Sequence, residues 1–373
     1  MIFGLAACGG QKDAIDPDTI ANCLIVLVTD KNMMGDGGLN DACWEGLQAA
    51  ADEFPDLSVK YVESEESYSE SIEEAVDMDA DLIICPNADM AEALKTDAAG
   101  YEGKIFVVFD AEVPEAENVT TISFNNEQRA FLAGVVAAMT TQKNVVGFIG
   151  SQSDVNVGKS LYGFTAGVVS TNQKCFISTN YLNKDGSVSE AKQTAVAQFR
   201  LGADVIFQLL DAKGAGVMKA ADERGFKTIS LTPQFAKQHP DSSLCVISPN
   251  GRSICYDLAA RMMQGTFDGQ AITYGLANDA FSVDNMGGFI SEEIMSRIET
   301  YIEAIKTGGY IVPYDNATYQ EFVSKNLTPD ELITDEGEIN MQAISSTAIV
   351  SDSAISGGAV DVEVDKNGVL IGQ

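Results

Sequence analysis

Short apolar runs alternate with amphipathic stretches along most of the chain, the pattern expected of buried parallel strands joined by covering helices. Residues 23–28, with Leu24, Ile25, Val26, Leu27 and Val28 in succession, read as a strand buried on both faces. A helix is predicted over about 41–54, where Trp44, Leu47 and Ala51 recur at helical spacing and Trp44 is placed in the core. Strands follow over 59–62, 81–85 and 105–109, with a helix over about 68–76 between the first two. Residues 129–141 are helical, and 145–149 open a second series of the same kind. Further helices are expected over about 254–264 and 290–306, separated by loop and strand over 271–285.

The second series repeats the first. Tyr61, Ser67-Tyr68-Ser69-Glu70 and Ala75-Val76 match Tyr181, Ser187-Val188-Ser189-Glu190 and Ala195-Val196 at a constant spacing. Ala80-Asp81-Leu82-Ile83 then matches Ala203-Asp204-Val205-Ile206. Matched strand–helix–strand units that far apart predict two similar α/β lobes, each a doubly wound parallel sheet. Ligands of such sheets bind beyond the carboxyl ends of the strands, and two such ends facing each other make a cleft. Beyond Pro313 the composition turns to Asp, Ser, Gly and Thr, so 315–373 is expected to be an appendage. Its last stretch alternates apolar and acidic residues around Asn367-Gly368, the signature of a hairpin.

A chain of 373 residues with 45% hydrophobic content has ample apolar surface for two cores. Fifty-five Asp and Glu stand against 23 Lys and Arg, a net charge of −32. That balance argues against nucleic acid or an anionic membrane surface as partner, because phosphate recognition needs clustered positive charge. No internal run approaches the roughly 18 apolar residues of a membrane span. At the amino end, Leu5-Ala6-Ala7-Cys8 precedes a polar stretch and resembles a bacterial lipobox, whose cysteine carries a diacylglycerol. A full signal also has a basic region and a longer apolar core, so residues 1–19 are expected to be a lipobox remnant and tether, with Cys8 lipidated. The other six cysteines, Cys23, Cys43, Cys85, Cys175, Cys245 and Cys255, show no metal spacing. Disulfides are one reading of an even count outside the cytoplasm, and free, mostly buried thiols the preferred one. No metal or cofactor is expected.

Several segments together resemble one family. The run Val28-Thr29-Asp30 through Gly38-Leu39-Asn40 to Trp44-Glu45-Gly46-Leu47 is similar to the first strand–loop–helix of the basic membrane protein family, lipoproteins related to the purine nucleoside receptor A lipoprotein. Val107-Val108-Phe109-Asp110-Ala111, Phe131-Leu132-Ala133-Gly134-Val135, Val146-Gly147-Phe148-Ile149-Gly150, Gly163-Phe164 with Gly167-Val168, Gly202-Ala203-Asp204-Val205-Ile206-Phe207 and Gly308-Gly309-Tyr310 extend the likeness, in order, over about 20–314. The resemblance implies a type I periplasmic-binding-protein fold, two lobes with several hinge crossovers and a ligand cleft. Lobe one is then expected over 20–123 plus about 249–285, and lobe two over 124–248 plus about 286–314. It also implies a monomeric, lipid-anchored protein on the outer face of the cell membrane that delivers a nucleoside to an ABC transporter permease.

By motif, Asp30 becomes a polar contact in the cleft. Leu39 stands where the family usually places an aromatic that stacks on the base, followed by Asn40. Asp110 ends a strand that supplies a carboxylate, Phe207 stacks on the other face of the base, and Gly214 lies where backbone approaches the ligand. The chemistry is coherent without the family: aromatic faces stack on planar bases, and carboxylates accept hydrogen bonds from ribose hydroxyls. Other roles stay open, with Asp30 and Asp110 as caps or turn residues, Asn40 as a helix cap and Phe207 as core. Three departures bear on the ligand. Leu39 offers only apolar contact, Leu231-Thr232-Pro233-Gln234 lacks the family's carboxylates, and no lysine stands near Ser248 and Pro249.

Rival functions are an enzyme, a sensor lobe for a membrane receptor, a carrier of a sugar, riboflavin-like ligand or modified base, and a surface adhesin using the acidic tail. Ser153-Asp154-Val155-Asn156-Val157-Gly158-Lys159-Ser160 approaches a phosphate-binding loop, but Ser153 replaces its leading glycine. His239 is the chain's one histidine, which leaves histidine-based catalysis without support. The expectation is therefore a binding protein rather than an enzyme.

Overall fold

The computed structural model describes residues 22–31, 34, 35, 37–114, 116–152, 155–183, 185–231, 233–285, 287–326, 363–364 and 370–371. The lipobox with Cys8, the tether, Ser153 and Asp154 of the loop-like motif and the Asn367-Gly368 turn lie outside them. In chain order the first elements are β1 (Cys23–Thr29), α1 (Leu39–Glu53), β2 (Leu57–Glu63), α2 (Tyr68–Asp77), β3 (Leu82–Cys85), α3 (Ala91–Asp97), β4 (Ile105–Phe109) and β5 (Val119–Phe124). There follow α4 (Asn126–Thr140), β6 (Val145–Ser151), α5 (Val155–Thr171), β7 (Phe176–Leu182), α6 (Val188–Arg200), β8 (Val205–Leu209), α7 (Ala215–Arg224), β9 (Lys227–Ser230), α8 (Pro233–Gln238) and β10 (Ser243–Pro249). The series ends with α9 (Gly251–Met263), β11 (Ile272–Tyr274), β12 (Phe281–Asp284), α10 (Glu292–Lys306), α11 (Asn316–Asn326), β13 (Glu363–Val364) and β14 (Leu370–Ile371). The last two pair antiparallel, as the hairpin reading expects.

The chain divides into two units. One comprises 1–124 and 250–274, the other 125–249 and 275–373. The first holds a six-stranded sheet in the order β11-β5-β4-β3-β1-β2, and the second a six-stranded sheet in the order β12-β10-β9-β8-β6-β7. The orders are the same pattern, β6 to β10 repeating β1 to β5. Every pair in the first sheet is parallel. In the second only β12 runs antiparallel, against β10. That pairing corrects one boundary: 275–285 belongs to the second unit, because Phe281–Asp284 hydrogen-bonds to β10 there.

In the first unit Val26 and Val28 form one core cluster with Ile83, Cys85, Phe106, Val108, Ile72 of α2 and Leu94 of α3. Ile25 and Leu27 alternate with them, point to the opposite face and are equally buried, which is why the strand reads as an unbroken apolar run. α1 buries Cys43, Gly46, Leu47 and Ala50. Trp44 is half-buried at the flank, edge-on to the exposed Tyr61. The expectation of Trp44 as core is corrected, since the buried face of α1 runs through its neighbours. In the second unit Ile149 and Ile206 pack against Ala191 and Ala195 of α6 and Val217 of α7. The other side of that sheet is aromatic, with Phe148 and Phe207 against Phe164 of α5.

Helix pairs in both units pack at backbone distance. A Cβ at Gly163 of α5 would stand 2.0 Å from the Glu127 carbonyl oxygen of α4, and one at Gly134 of α4 2.2 Å from that of Phe164. In the first unit a Cβ at Gly46 of α1 would stand 2.2 Å from the Arg252 carbonyl oxygen of α9. Glycines that look like motif letters in the sequence are thus places where no side chain fits.

The expected appendage begins later than 315. α11 buries Tyr319 and Phe322, one turn apart, against Tyr162 and Tyr310, and so completes the second unit's core. All six described cysteines are free, five of them buried and Cys175 half-buried. Among the described residues, no helix is long and apolar enough to cross a membrane.

Candidate functional site

The strand order of the first unit reverses at β1, which lies between β3 and β2. In a doubly wound sheet such a point opens a crevice beyond the strand ends. Asp30 follows the last residue of β1 there, half-buried. Its Oδ1 accepts a hydrogen bond from the Tyr68 hydroxyl at 2.6 Å and another from Asn87 Nδ2 at 2.9 Å. Its Oδ2 accepts from Asn40 Nδ2 at 3.4 Å. Asn40 is the second residue of α1 and is buried. Tyr68 is the first residue of α2, and Asn87 follows β3. Four side chains thus converge from the ends of two strands and the starts of two helices.

Burial raises the Tyr68 phenol above its ordinary pKa, and the hydrogen bond to Asp30 and the charges of Asp30 and Asp89 add to the rise. Tyr68 therefore keeps its proton at physiological pH and serves as a hydrogen-bond donor. Lys31, next in the chain, directs its Nζ to the Glu65 carbonyl oxygen at 2.9 Å. The arrangement suits a ligand that donates hydrogen bonds, not a phosphate.

Leu39 opens α1 beside this cluster, half-buried and close to Gly251. The helix starts two residues earlier than its periodicity suggests. Asp41 then reaches back, taking the Gly35 backbone N–H on Oδ1 at 2.7 Å and that of Gly37 on Oδ2, which ties down the loop before the helix. Asp110 follows β4 with φ 54°, a left-handed conformation that Asp tolerates. Its backbone N–H donates to the Ile122 carbonyl oxygen at 2.7 Å, and the residue is exposed. Asp30, Asn87 and Asp110 therefore follow the carboxyl ends of three adjacent strands, β1, β3 and β4. Sequence reasoning named Asp30, Leu39, Asn40 and Asp110 as candidates and passed over Tyr68 and Asn87, which contact Asp30. The available signal was position alone: a tyrosine at the first helical residue and an asparagine two residues past a strand.

In the second unit the expectation for Phe207 is corrected. Phe207 is fully buried in mid-strand, stacked on Phe164 with centroids 5.4 Å apart and edge-on to Phe148. It belongs to the aromatic core and offers no face to a ligand. Gly214 lies at a close approach within the unit: a Cβ there would stand 2.5 Å from Gln208 Oε1. The Gln208 side chain is buried beside it and accepts the Leu210 backbone N–H at 3.1 Å.

His239 is placed away from the strand ends that carry ligands. It lines a cavity of about 350 Å³ with Asp222, Phe226, Lys227 and Ser242, beside the amino ends of β9 and β10. His239 Nδ1 and the Ser242 hydroxyl both hydrogen-bond to the Asp222 carboxylate. The serine is thus held by the aspartate instead of by an imidazole base, which is not the geometry of a nucleophilic triad. Among the described residues no group of three His, Cys, Asp or Glu side chains is placed to hold a metal ion.

Comparison with known proteins agrees with this layout. Residues 24–316 match the family described as ABC transporter substrate-binding protein PnrA-like. The CD4+ T-cell-stimulating antigen of Listeria innocua is 28% identical over 335 residues, covering 83% of this chain and 94% of that protein. The ABC transporter nucleoside-binding protein BmpA of Lactococcus lactis is 26% identical over 294 residues, covering 72% of this chain and 84% of its own length. Among solved structures, an ABC transporter solute-binding protein from Conexibacter woesei superimposes with a TM-score of 0.64 at 16% identity, covering 78% of this chain and 99% of that one. One from Aeropyrum pernix gives 0.57 at 19%, covering 82% and 97%. These neighbours share the type I fold of two parallel-sheet α/β lobes.

Proposed function

The chain belongs to the PnrA-like family of ABC transporter substrate-binding proteins, and from that premise we propose that it is an extracytoplasmic lipoprotein that captures a nucleoside and delivers it to an ABC importer. The observation that carries the reading is the Asp30 carboxylate at the first unit's switch point, held by three neutral donors. A carboxylate in that setting accepts hydrogen bonds from ribose hydroxyls, while its negative charge disfavours a phosphorylated form. Asn40 adds a polar group from the same helix turn, Leu39 an apolar surface for one side of a base, and Asp110 a second carboxylate two strands away. The name of the Lactococcus lactis relative supports a nucleoside. Purine is favoured over pyrimidine by family resemblance alone. Cys8 is the proposed lipid anchor.

Calorimetry against adenosine, guanosine, inosine, cytidine and uridine, with sugars and riboflavin alongside, tests the ligand. At least one nucleoside is expected to bind, and Asp30→Asn is expected to weaken it by about tenfold or more, the loss of a hydrogen bond to a charged acceptor. Silence across the nucleosides with binding of a sugar or riboflavin overturns the assignment. Fatty-acid labelling of the wild type and of Cys8→Ala in a bacterial host tests the anchor; equal labelling of both removes it.

A further inference from the structure

We infer that Tyr68 and Asn87 are positioning residues that set the Asp30 carboxylate so that Oδ2 faces the ligand, an inference that rests on the nucleoside reading above. The two donors arrive from different elements and meet on one oxygen. Oδ1 receives both Tyr68 and Asn87 within ordinary hydrogen-bond distance. Among the described residues Oδ2 has only the 3.4 Å contact with Asn40, beyond the usual range of a well-formed N–H···O bond. Oδ2 therefore keeps acceptor capacity that Oδ1 has used. Without those donors the carboxylate would be free to rotate about its broad terminal torsion.

The orientation of Asn87 is itself fixed. Its Oδ1 accepts the Asp89 backbone N–H at 2.9 Å, so Nδ2 is the atom turned toward Asp30. For Tyr68 the internal repeat supplies an independent argument. Ser187-Val188-Ser189-Glu190 forms a capping box at the start of α6, the Ser187 side chain accepting from Glu190 N and the Glu190 carboxylate accepting from Ser187 N. Val188 there is exposed. Ser67-Tyr68-Ser69-Glu70 has the same letters at the capping positions, yet Ser67 makes no side-chain capping hydrogen bond. The residue between the two serines is the one that differs, and in the first unit it spans to Asp30. Its phenol, raised in pKa first by burial, stays protonated to donate.

The test combines a thermodynamic cycle with a spectroscopic one. Affinity for the tightest-binding nucleoside is measured for wild type, Tyr68→Phe, Asn87→Ala, Asp30→Asn and Tyr68→Phe/Asp30→Asn. Each single change is expected to weaken binding about tenfold, as a bond to a charged group does, while Tyr68→Phe costs less than about twofold once Asp30 is gone. Tyr68→Phe keeps the ring and its packing, so its thermal midpoint is expected near that of wild type. Equal losses in both backgrounds overturn the positioning role.

Phenol ionisation followed by absorbance supplies a readout that needs no ligand. The transition missing in Tyr68→Phe is expected at a lower pH in Asp30→Asn than in wild type, and an unchanged transition also overturns the proposal. A wild type that binds no nucleoside while Asp30→Asn still shifts this transition overturns the nucleoside reading and supports the Tyr68–Asp30 contact.

Discussion

The two units share a strand order and a repeated strand–helix–strand sequence, yet their residues diverge where the chemistry is. At the carboxyl end of β1 the first unit places a carboxylate and three donors. The second unit fills one face of its sheet with Phe148, Phe164 and Phe207 and closes the start of α6 with a capping box. The same order of five parallel strands thus carries a polar cluster in one unit and an aromatic sheet face with a capped helix start in the other. The comparison teaches that the candidate site depends on side-chain choice at strand ends and helix starts, since the strand order is repeated.

The comparison can be broken in several ways. The largest effect is expected from Gly163→Ala, whose methyl would meet the Glu127 carbonyl oxygen at 2.0 Å. Overpacking costs about 1–3 kcal/mol, with the upper end expected against backbone, read as a lower midpoint in denaturant unfolding. Gly46→Ala in the first unit meets the Arg252 carbonyl oxygen at 2.2 Å and is expected to cost a similar amount. A neutral outcome for either would show that its helix pair tolerates separation.

A smaller difference sharpens the contrast between the capping sites. Ser187→Ala is expected to destabilise by about 1 kcal/mol, the usual worth of a cap. Ser67→Ala, where no side-chain cap bond exists, is expected to stay within about 0.5 kcal/mol. Equal costs in thermal unfolding would erase the distinction on which the role of Tyr68 depends.

The smallest effect concerns pH. Burial raises the Glu127 pKa, against a backbone hydrogen bond and the charge of Lys159, which lower it. A carboxyl whose pKa is higher folded than unfolded contributes stability that is present below its unfolded pKa and lost as pH rises through the folded value. Glu127→Gln is therefore expected to raise the thermal midpoint at pH 7 relative to wild type and to do so less at pH 4. A gain that does not depend on pH would place the effect in packing instead of charge.

Much of the fold was legible in the sequence because parallel strands buried on both faces are unbroken apolar runs. The repeat from Tyr61 and Tyr181 likewise announced two similar sheets. The site was legible only in part. Asp30, Leu39, Asn40 and Asp110 were named as candidates by their motif, and Asp30 and Asn40 are in contact. Phe207 was misplaced because an aromatic near a strand end reads alike whether it faces ligand or core, and β8 runs on to Leu209. Tyr68 and Asn87 were missed because their partner, Asp30, is 38 and 57 residues away in the chain. The tail was misjudged at 316–326 for a similar reason, as the partners of Tyr319 and Phe322 lie in distant elements.

By itself the sequence determined the alternation of strands and helices, the doubling of the unit and the acidic character, because these depend on local periodicity and composition. Tertiary structure alone decided which polar residues meet at the switch point, which aromatic rings are core, and why particular glycines admit no side chain. Those outcomes depend on distances between residues far apart in the chain, which no local pattern encodes.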